Sequence, residues 1–254
     1  MPNTAIITGA ASGIGLEAAR DLLAKGWVVH GVDVSATVLT AAAETLASVR
    51  FHPHPCDLRD ADAIVDAIGQ IQEKAPAINA LICSAGIARI GPLATMSVKN
   101  FDNIFGVNVR GLWLTCRETY PALKQAASDG GLARVIILSS VSAIRPKIDS
   151  GAYAASKAAA SQLTQVLAVE WAGDGILVNA LAPGTVDTPM IRSAADPAKQ
   201  GNWRPSGDSP LGRVAEAIDI VRVMRFLLSD DAVYVTGTII PVDGGTRAAF
   251  VPKK

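Results

Sequence analysis

The 254-residue sequence has no surplus of charge of either sign. It contains 23 Lys and Arg residues against 23 Asp and Glu residues, with no basic stripe and no arginine-rich run. Proteins that bind nucleic acid usually carry such a basic footprint. The sequence therefore predicts no nucleic-acid partner.

Long hydrophobic runs are also missing. No apolar segment approaches the about 20 residues that a membrane-spanning helix needs, and the chain enters its first strand pattern without a charged and then apolar leader. We therefore expect no membrane association and a soluble, cytoplasmic protein. Hydrophobic residues make up 50% of the chain, enough for the core of one α/β domain covering residues 1–254.

Cysteine and histidine are scarce, with three residues of each. Cys56, Cys83 and Cys116 are widely spaced and form no Cys-x-x-Cys pair, which argues against a disulfide framework and for a reducing compartment. His52, His54 and Cys56 alternate along one side of an extended segment, as metal ligands can. With so few histidines, the sequence predicts no metal site.

Short apolar runs alternate with helical patterns along the whole chain. Such alternation is typical of an α/β fold in which a doubly wound parallel sheet, here of seven strands, has helices on both faces. The carboxyl ends of the strands should form one edge with a cleft. The predicted strands are 4–8, 27–32, 51–55, 79–83, 134–139, 175–181 and 237–242, and the predicted helices are 14–25, 36–48, 60–74, 101–127, 152–172 and 214–228.

A glycine-rich turn follows the first strand. Gly9, Gly13 and Gly15 stand between the apolar run 4–8 and a helical pattern. Glycine lets a phosphate approach the main chain, and a helix N-terminus offers free N–H groups. The segment, including Ser12 and Ile14, therefore predicts a pyrophosphate-binding turn, although its spacing differs from Gly-x-Gly-x-x-Gly and a purely structural turn is the alternative.

Asp33 ends the second predicted strand. A carboxylate there can accept both hydroxyls of an adenosine ribose and would repel a 2′-phosphate. No Arg or Lys occurs in the glycine turn or at Val34 to bind such a phosphate. The sequence thus favours NAD over NADP, the alternative being an exposed Asp near a helix cap at Ser35.

The most informative spacing is that of Tyr153 and Lys157. Residues four apart lie on one face of a helix, and Ser140 closes an apolar stretch upstream. A nearby ammonium favours phenolate, so we expect Lys157 to lower the pKa of Tyr153 and to make it a general acid/base. The Ser140 hydroxyl could hold the reacting oxygen. The alternative is an ordinary pair on a helix surface.

Taken together, these residues resemble the short-chain dehydrogenase/reductase family, in its compact single-domain branch, over nearly the whole chain. That resemblance implies a Rossmann-like fold. The motifs that carry it are Thr8 to Gly15, Asp33, Cys56-Asp57-Leu58, Cys83-Ser84-Ala85-Gly86, Val107-Asn108-Val109, Ser139-Ser140, Tyr153-x-x-x-Lys157, Pro183-Gly184 and Thr188. The family usually has Asn-Asn-Ala-Gly where this chain has Cys83 to Gly86, so we expect Ser84 to cause a small loss of stability or cofactor affinity.

The resemblance also implies roles for individual residues. Tyr153 is the expected acid/base, Lys157 lowers its pKa and holds the nicotinamide ribose, Ser140 orients the substrate oxygen, and Asn108 supports a water molecule that links Lys157 to solvent. Asp57 would meet the adenine and Thr188 the nicotinamide carboxamide. The residues expected to bind NAD are Gly9, Ser12, Gly13, Ile14, Gly15, Asp33, Asp57, Leu58, Ala85, Gly86, Asn108, Tyr153, Lys157, Pro183, Gly184, Val186 and Thr188.

The segment 187–213 is rich in Pro, Gly and charge, and long irregular segments are often functional lids. In the related family it covers the substrate. The residues expected to bind substrate are Ser140, Ser142, Ile144, Arg145, Tyr153, Met190 and Trp203, with Ile148, Ile191, Arg89 and Ile90 nearby. Arg192 and Arg204 could meet a carboxylate, or they could be solvated loop charges.

The predicted reaction is NAD-dependent interconversion of a secondary alcohol and a ketone. Two alternatives stay open: a dehydrogenase that aromatises a ring cis-diol, and a non-catalytic NAD-binding scaffold or sensor. Enoyl reduction is disfavoured, because the related enoyl reductases space their tyrosine and lysine more widely. The resemblance further implies a homotetramer, or else a dimer, that pairs the helices 101–127 and 152–172.

Overall fold

Seven strands form one parallel sheet. They are β1 (Thr4–Thr8), β2 (Val28–Asp33), β3 (Phe51–Pro55), β4 (Ala80–Cys83), β5 (Ala133–Leu138), β6 (Ile176–Pro183) and β7 (Ile239–Val242). Their order in the sheet is β3-β2-β1-β4-β5-β6-β7, and every neighbouring pair is parallel. This computed structural model describes residues 2–89, 91–128, 131–194 and 207–249. The predicted doubly wound sheet is confirmed.

The helices pack on both faces of the sheet. They are α1 (Gly13–Ala24), α2 (Ala36–Leu46), α3 (Ala61–Lys74), α4 (Val98–Phe105), α5 (Leu112–Ser128), α6 (Gly151–Trp171), α7 (Pro189–Ala194) and α8 (Ala217–Leu228). Local capping explains several of their starts. The Ser35 hydroxyl accepts a hydrogen bond from the Val38 N–H, and the Asp60 carboxylate accepts from two N–H groups at the start of α3.

Alternation along the strands divides the core into two layers. Ile6 of β1 packs with side chains from α3, α5 and α6, whereas its neighbour Ile7 packs with side chains from α1, α2 and α8. Successive strand residues point to opposite faces, so apolar runs without polar interruption identify strands that are buried on both sides. β1, β4, β5 and β6 are buried throughout, although β5 contains Arg134 and β6 contains Asn179.

The predicted helix 101–127 is wrong in its start and its regularity. α4 begins at Val98, where the Ser97 hydroxyl accepts from the Asn100 N–H, and a π-helical turn over Gly106–Gly111 separates α4 from α5. π-turns widen a helix locally and often occur at functional sites. This turn contains Asn108.

The predicted irregular segment 187–213 contains a short helix, α7. Pro189 occupies its first position, where a missing N–H costs nothing, and the Thr188 hydroxyl accepts from the Ile191 N–H at 3.5 Å. This Thr-Pro start was a helix signal that the Pro-rich composition concealed. Of the remainder of the segment, the structure describes residues 207–213.

Within the described ranges, no helix has both the length and the apolar character needed to cross a membrane.

Candidate active site

One cleft of about 450 Å³ lies at the carboxyl edge of the sheet, a volume suited to small ligands. It opens beside β1 and β4, where the strand order changes direction, as expected for open parallel sheets. The predicted residues that line it are Gly9, Ser12, Gly13, Ile14, Asp33, Asp57, Leu58, Ala85, Gly86, Ser140, Tyr153, Lys157, Pro183, Gly184, Val186, Thr188 and Met190.

The glycine turn leaves the main chain uncovered by side chains at the N-terminus of α1. Gly9 has a φ of +68°, and a Cβ atom on it would lie 2.8 Å from the Ala85 nitrogen. A Cβ atom on Gly15 would collide with the Gly9 carbonyl oxygen. Gly15 thus allows the turn to pack closely against the start of α1, and it does not line the cleft. The exposed main chain and the helix N-terminus fit the pyrophosphate of a dinucleotide.

Asp33 is held at the end of β2 beside this turn. Its carboxylate accepts a hydrogen bond from the Ala11 N–H at 3.1 Å and a long one from the Ser35 N–H at 3.5 Å. The neighbouring Val34 also lines the cleft and is 62% exposed. A fixed carboxylate and an apolar neighbour fit ribose hydroxyls better than a phosphate.

Asp57 has a partner that the sequence analysis missed. The Arg59 guanidinium donates to both Asp57 carboxylate oxygens, at 2.6 to 3.0 Å, and also contacts Asn103 at 3.2 Å. The hydrogen bond from Arg59 lowers the pKa of the Asp57 carboxyl. Both residues line the cleft on the side expected to bind adenine. An Arg two residues after an Asp in a turn was the available signal.

The two adjacent serines, Ser139 and Ser140, have different hydrogen-bond partners. The Ser139 hydroxyl bonds to the Lys157 carbonyl oxygen at 3.1 Å and to the Ser161 hydroxyl at 2.7 Å, so it ties β5 to α6. The Ser140 hydroxyl accepts from the Ser142 N–H at 3.1 Å and is hydrogen-bonded to Tyr153. Both serines line the cleft, and Ser140 is the one whose side chain contacts Tyr153.

Lys157 and Tyr153 lie together, but the expected effect on the tyrosine is wrong in direction. Burial raises the pKa of Tyr153, and the hydrogen bond from Ser140 only partly opposes this. The Lys157 ammonium donates to the Leu138 carbonyl at 2.6 Å and stands 5.9 Å from the centre of the Tyr153 ring. Burial also lowers the pKa of Lys157 to about 8. Burial thus disfavours the charged form of both residues.

Asn108 is buried in the π-turn behind this pair. Its amide oxygen accepts from the Ile87 N–H and its amide nitrogen donates to the Ile87 carbonyl, both at 2.9 Å, and the same nitrogen contacts the Ser156 hydroxyl at 3.0 Å. A Cβ atom on Gly86 would lie 3.2 Å from the Lys157 ammonium and 3.4 Å from the Asn108 amide oxygen. Asn108 therefore fixes the loop beside Lys157, although it does not line the cleft.

The segment after β6 closes the far side of the cleft. Pro183, Gly184, Val186 and Thr188 all line it. Val186 pairs with Ala215 in an isolated parallel bridge. A Cβ atom on Gly13 would lie 3.3 Å from the Thr188 methyl group, so Thr188 stands over the glycine turn. The expected contact of Thr188 with a nicotinamide stays a prediction.

The predicted substrate residues are only partly brought together. Met190 and Ile191 line the cleft, whereas Ser142, Ile144 and Arg145 do not. Trp203, Ile90 and Arg204 were also predicted to lie at or near the substrate, and all three lie outside the described residues.

Two arginines proposed for substrate binding have protein partners. Arg145 donates to the Thr246 and Ala249 carbonyls at 2.5 and 3.0 Å, and so anchors the segment after β7. Arg192 makes two hydrogen bonds to the Asp187 carboxylate, at 2.7 and 2.8 Å. Both side chains of this pair are exposed, which agrees with the alternative of a solvated loop charge for Arg192.

The three histidines cluster away from the cleft. His30 Nδ1 and His54 Nε2 are 3.0 Å apart, and the His30 and His52 ring centres are 5.0 Å apart. Burial lowers the pKa of both His30 and His54 to about 4. Across the described residues, no group of three His, Cys, Asp or Glu side chains has the geometry to hold a metal ion.

Comparison with known proteins gives the family. A family model described as enoyl-(acyl carrier protein) reductase matches residues 9–247. Galactitol 2-dehydrogenase (L-tagatose-forming) of Cereibacter sphaeroides is 38% identical over 245 residues, which cover 95% of this chain and 93% of that protein. The chain belongs to the short-chain dehydrogenase/reductase family.

Solved structures of short-chain dehydrogenase/reductases agree. A 3-ketoacyl-(acyl-carrier-protein) reductase from Brucella melitensis, complexed with NADH, has a TM-score of 0.88 at 28% identity, covering 96% of this chain and 98% of the other. An NADP active-site complex of RhlG from Pseudomonas aeruginosa has a TM-score of 0.87 at 29% identity, covering 96% of both chains. The protein is an oxidoreductase, and these relatives support alcohol/ketone oxidoreduction as the general reaction class.

The low pKa of Lys157 predicts a pH-dependent stability. Between pH 8 and 10.5 the unfolded chain holds the lysine proton and the folded chain does not, so the free energy of unfolding should rise with pH in this window. Lys157→Met removes this dependence. The variant should be more stable than the wild type near pH 7, by up to about 3 kcal/mol, and its advantage should shrink toward pH 10.

Urea unfolding of both proteins at several pH values measures this difference. Lys124→Met is the matched control, since the Lys124 ammonium is largely exposed and pairs with Asp174. It should show no such trend between pH 7 and 10. A stability difference for Lys157→Met that stays constant with pH would contradict a depressed lysine pKa.

Proposed function

We propose that the protein is an NAD(H)-dependent oxidoreductase that interconverts a secondary alcohol and a ketone. The observation that carries this proposal is the meeting of Ser140, Tyr153 and Lys157 in the cleft that also holds the glycine turn. A dinucleotide on that turn would extend from Asp33 and Asp57 toward Thr188. When bound, its nicotinamide supplies the hydride acceptor or donor.

The side chains divide the work on the substrate oxygen. As phenolate, Tyr153 takes the hydroxyl proton when an alcohol is oxidised, and as phenol it gives that proton to the oxygen when a ketone is reduced. Ser140 donates a hydrogen bond to the oxygen as negative charge develops on it. Lys157 would hold the nicotinamide ribose. Because burial raises the pKa of Tyr153, the phenol is the form at neutral pH and is ready to protonate a ketone.

Tyr153→Phe should abolish turnover while leaving cofactor binding intact. Removal of the phenolic oxygen deletes the proton acceptor, and we expect a loss of about 10³-fold or more in kcat. The measurement is initial-rate reduction of NAD⁺ over a panel of secondary alcohols, cyclic alcohols, hydroxy acids, steroids and ring cis-diols, together with NADH binding by fluorescence. In the wild type, oxidation should speed up and reduction slow down as pH rises.

Tyr120→Phe is the matched control. Tyr120 is also half-buried, and its hydroxyl donates to Asp174 far from the cleft. This variant should keep its turnover. Equal kcat in Tyr153→Phe and the wild type would remove Tyr153 from the mechanism. Aromatic absorbance of the product would distinguish the oxidation of a ring diol, and a silent panel with NADH still bound would favour a scaffold or sensor.

The choice of NAD over NADP is the second part of the proposal. Related structures hold NADH in one case and NADP in another, so the fold does not decide. The Asp33 carboxylate, fixed by the Ala11 N–H, and the apolar Val34 support NAD, because the carboxylate would repel a 2′-phosphate. We propose the cytoplasm as the compartment, on the basis of three free thiols.

Asp33→Ser combined with Val34→Arg should reverse this preference. The double change removes a repelling charge and adds a guanidinium at the edge of the ribose site, so we expect the ratio of kcat/KM for NADP⁺ over NAD⁺ to rise about 100-fold. Val38→Arg adds the same charge on the exposed face of α2 and serves as the control. An unchanged ratio in the double variant would place the ribose elsewhere.

We further propose a homotetramer built on α5 and α6, with a dimer as the alternative. Trp113, Val166 and Val169 expose apolar surface on these helices, and Val169 is 82% exposed. On α6, Ala155 and Ala158 are exposed and would allow a partner helix to approach closely, whereas Ala154 and Ala160 are buried within the subunit. Trp113→Glu with Val169→Glu should dissociate the assembly, and a single-chain mass for the wild type by light scattering would contradict the proposal.

A further inference from the structure

One arginine in the cleft wall has no part in the chemistry proposed above. Arg89 lines the cleft together with Ser140 and Tyr153. It stands three residues after Gly86, which borders the Lys157 ammonium. Three residues of extended chain span at most about 11 Å. The backbone of Arg89 therefore lies within that distance of Gly86.

The other cations of the cleft wall already have partners. Arg59 is paired with the Asp57 carboxylate, and the Lys157 ammonium donates to the Leu138 carbonyl. The arginines of the surrounding segments are also engaged, since Arg192 is held by Asp187 and Arg145 by two backbone carbonyls, as described above. Arg59 and Arg192 would have to give up a carboxylate partner to bind an anion, and Arg145 and Arg192 do not line the cleft.

Arg89 differs from them. Its guanidinium donates to the carbonyl of its neighbour Ala88 at 3.0 Å, and it makes no ion pair with any residue that the structure describes. It is exposed, so its donors face the cleft and solvent. A guanidinium has five donors in a planar fork, most of which remain unused here.

Hydrogen bonds hold the backbone on both sides of Arg89. Both backbone groups of Ile87 are bonded to the buried Asn108 amide, at 2.9 Å each. Beyond Arg89, the Gly91 N–H donates to the Asp149 carbonyl at 2.8 Å, in the loop between Ser140 and Tyr153. The backbone is thus held by hydrogen bonds two residues before and two residues after Arg89, which reduces the entropy lost when the cation binds a ligand.

We propose that Arg89 binds a carboxylate on the substrate, so that the substrate class is hydroxy acids and the corresponding keto acids. The inference rests on the proposed alcohol/ketone function. A single guanidinium matches one carboxylate through two parallel hydrogen bonds, whereas a phosphate dianion would keep a second uncompensated charge. Ile87, Met190 and Ile191 supply apolar wall in the same cleft, suited to the carbon chain between carboxylate and carbinol.

The test compares acids with their uncharged amides. The probes are 3-hydroxybutyrate, 4-hydroxypentanoate and 5-hydroxyhexanoate, each with its primary amide, in NAD⁺ reduction by the wild type, Arg89→Gln, Arg89→Lys and Arg222→Gln. We expect the wild type to favour at least one acid about tenfold in kcat/KM, mostly through KM. Arg89→Gln should lose that preference with amide turnover unchanged, and Arg89→Lys should keep part of it.

Arg222→Gln controls for loss of a surface guanidinium, since Arg222 lies on α8, outside the residues that line the cleft, and is mostly exposed. The acid preference should also fall as salt rises, because exposed charge pairs are screened. Equal acid-to-amide ratios in the wild type and Arg89→Gln would overturn the role of Arg89 and leave the alcohol dehydrogenase function standing. Failure of the wild type with every alcohol, acidic or neutral, would overturn both.

Discussion

The buried ammonium of Lys157 is the constraint on which the rest of the site depends. A cation that is only 5% exposed loses hydration, and that loss must be offset by hydrogen bonds. The Leu138 carbonyl provides one at the end of β5, and Gly86 leaves room for the charge by having no side chain. β4, β5 and α6 must therefore meet in one arrangement, which Ser139 reinforces by bonding to the Lys157 carbonyl.

The same constraint explains the irregular helix on the other side of Gly86. A π-turn carries one extra residue per turn and displaces the side chains that follow. Here it brings the Asn108 amide against both backbone groups of Ile87 and against Ser156, one residue before Lys157. Asn108 thus has a direct role in holding this loop, and the water-bridging role implied by the family resemblance stays a prediction. The amide sets the loop that borders the lysine and leads to the substrate side.

The features that could be predicted from the sequence are those that one short segment encodes. β1 has the predicted bounds because an unbroken apolar run is followed at once by Gly9, and the convergence of Tyr153 with Lys157 follows from their spacing in one helix. Other features depend on distant parts of the chain. Arg145 looked available to a substrate, but its partner Thr246 is 101 residues away. No local pattern could reveal that contact.

The direction of the Tyr153 pKa shift was missed for a related reason. Proximity to Lys157 was readable, but the depth of the site was not, because burial is decided by all the elements that pack around α6. When both partners are buried, desolvation disfavours both charged forms, which raises the pKa of a phenol and lowers that of an ammonium. Sequence spacing indicates which charges meet, whereas the surrounding core decides which protonation states they adopt.

The substitution at Ser84 shows how the fold tolerates a departure from its family. The Ala85 N–H donates to the Thr8 hydroxyl at 3.2 Å, which joins the ends of β1 and β4, and Asn108 holds Ile87 two residues later. The loop after β4 is therefore braced on both sides without help from the side chain at position 84. Ser84 lines the cleft and is smaller than the usual Asn. The change accordingly alters the space beside the cofactor turn more than it alters the bracing of the strands.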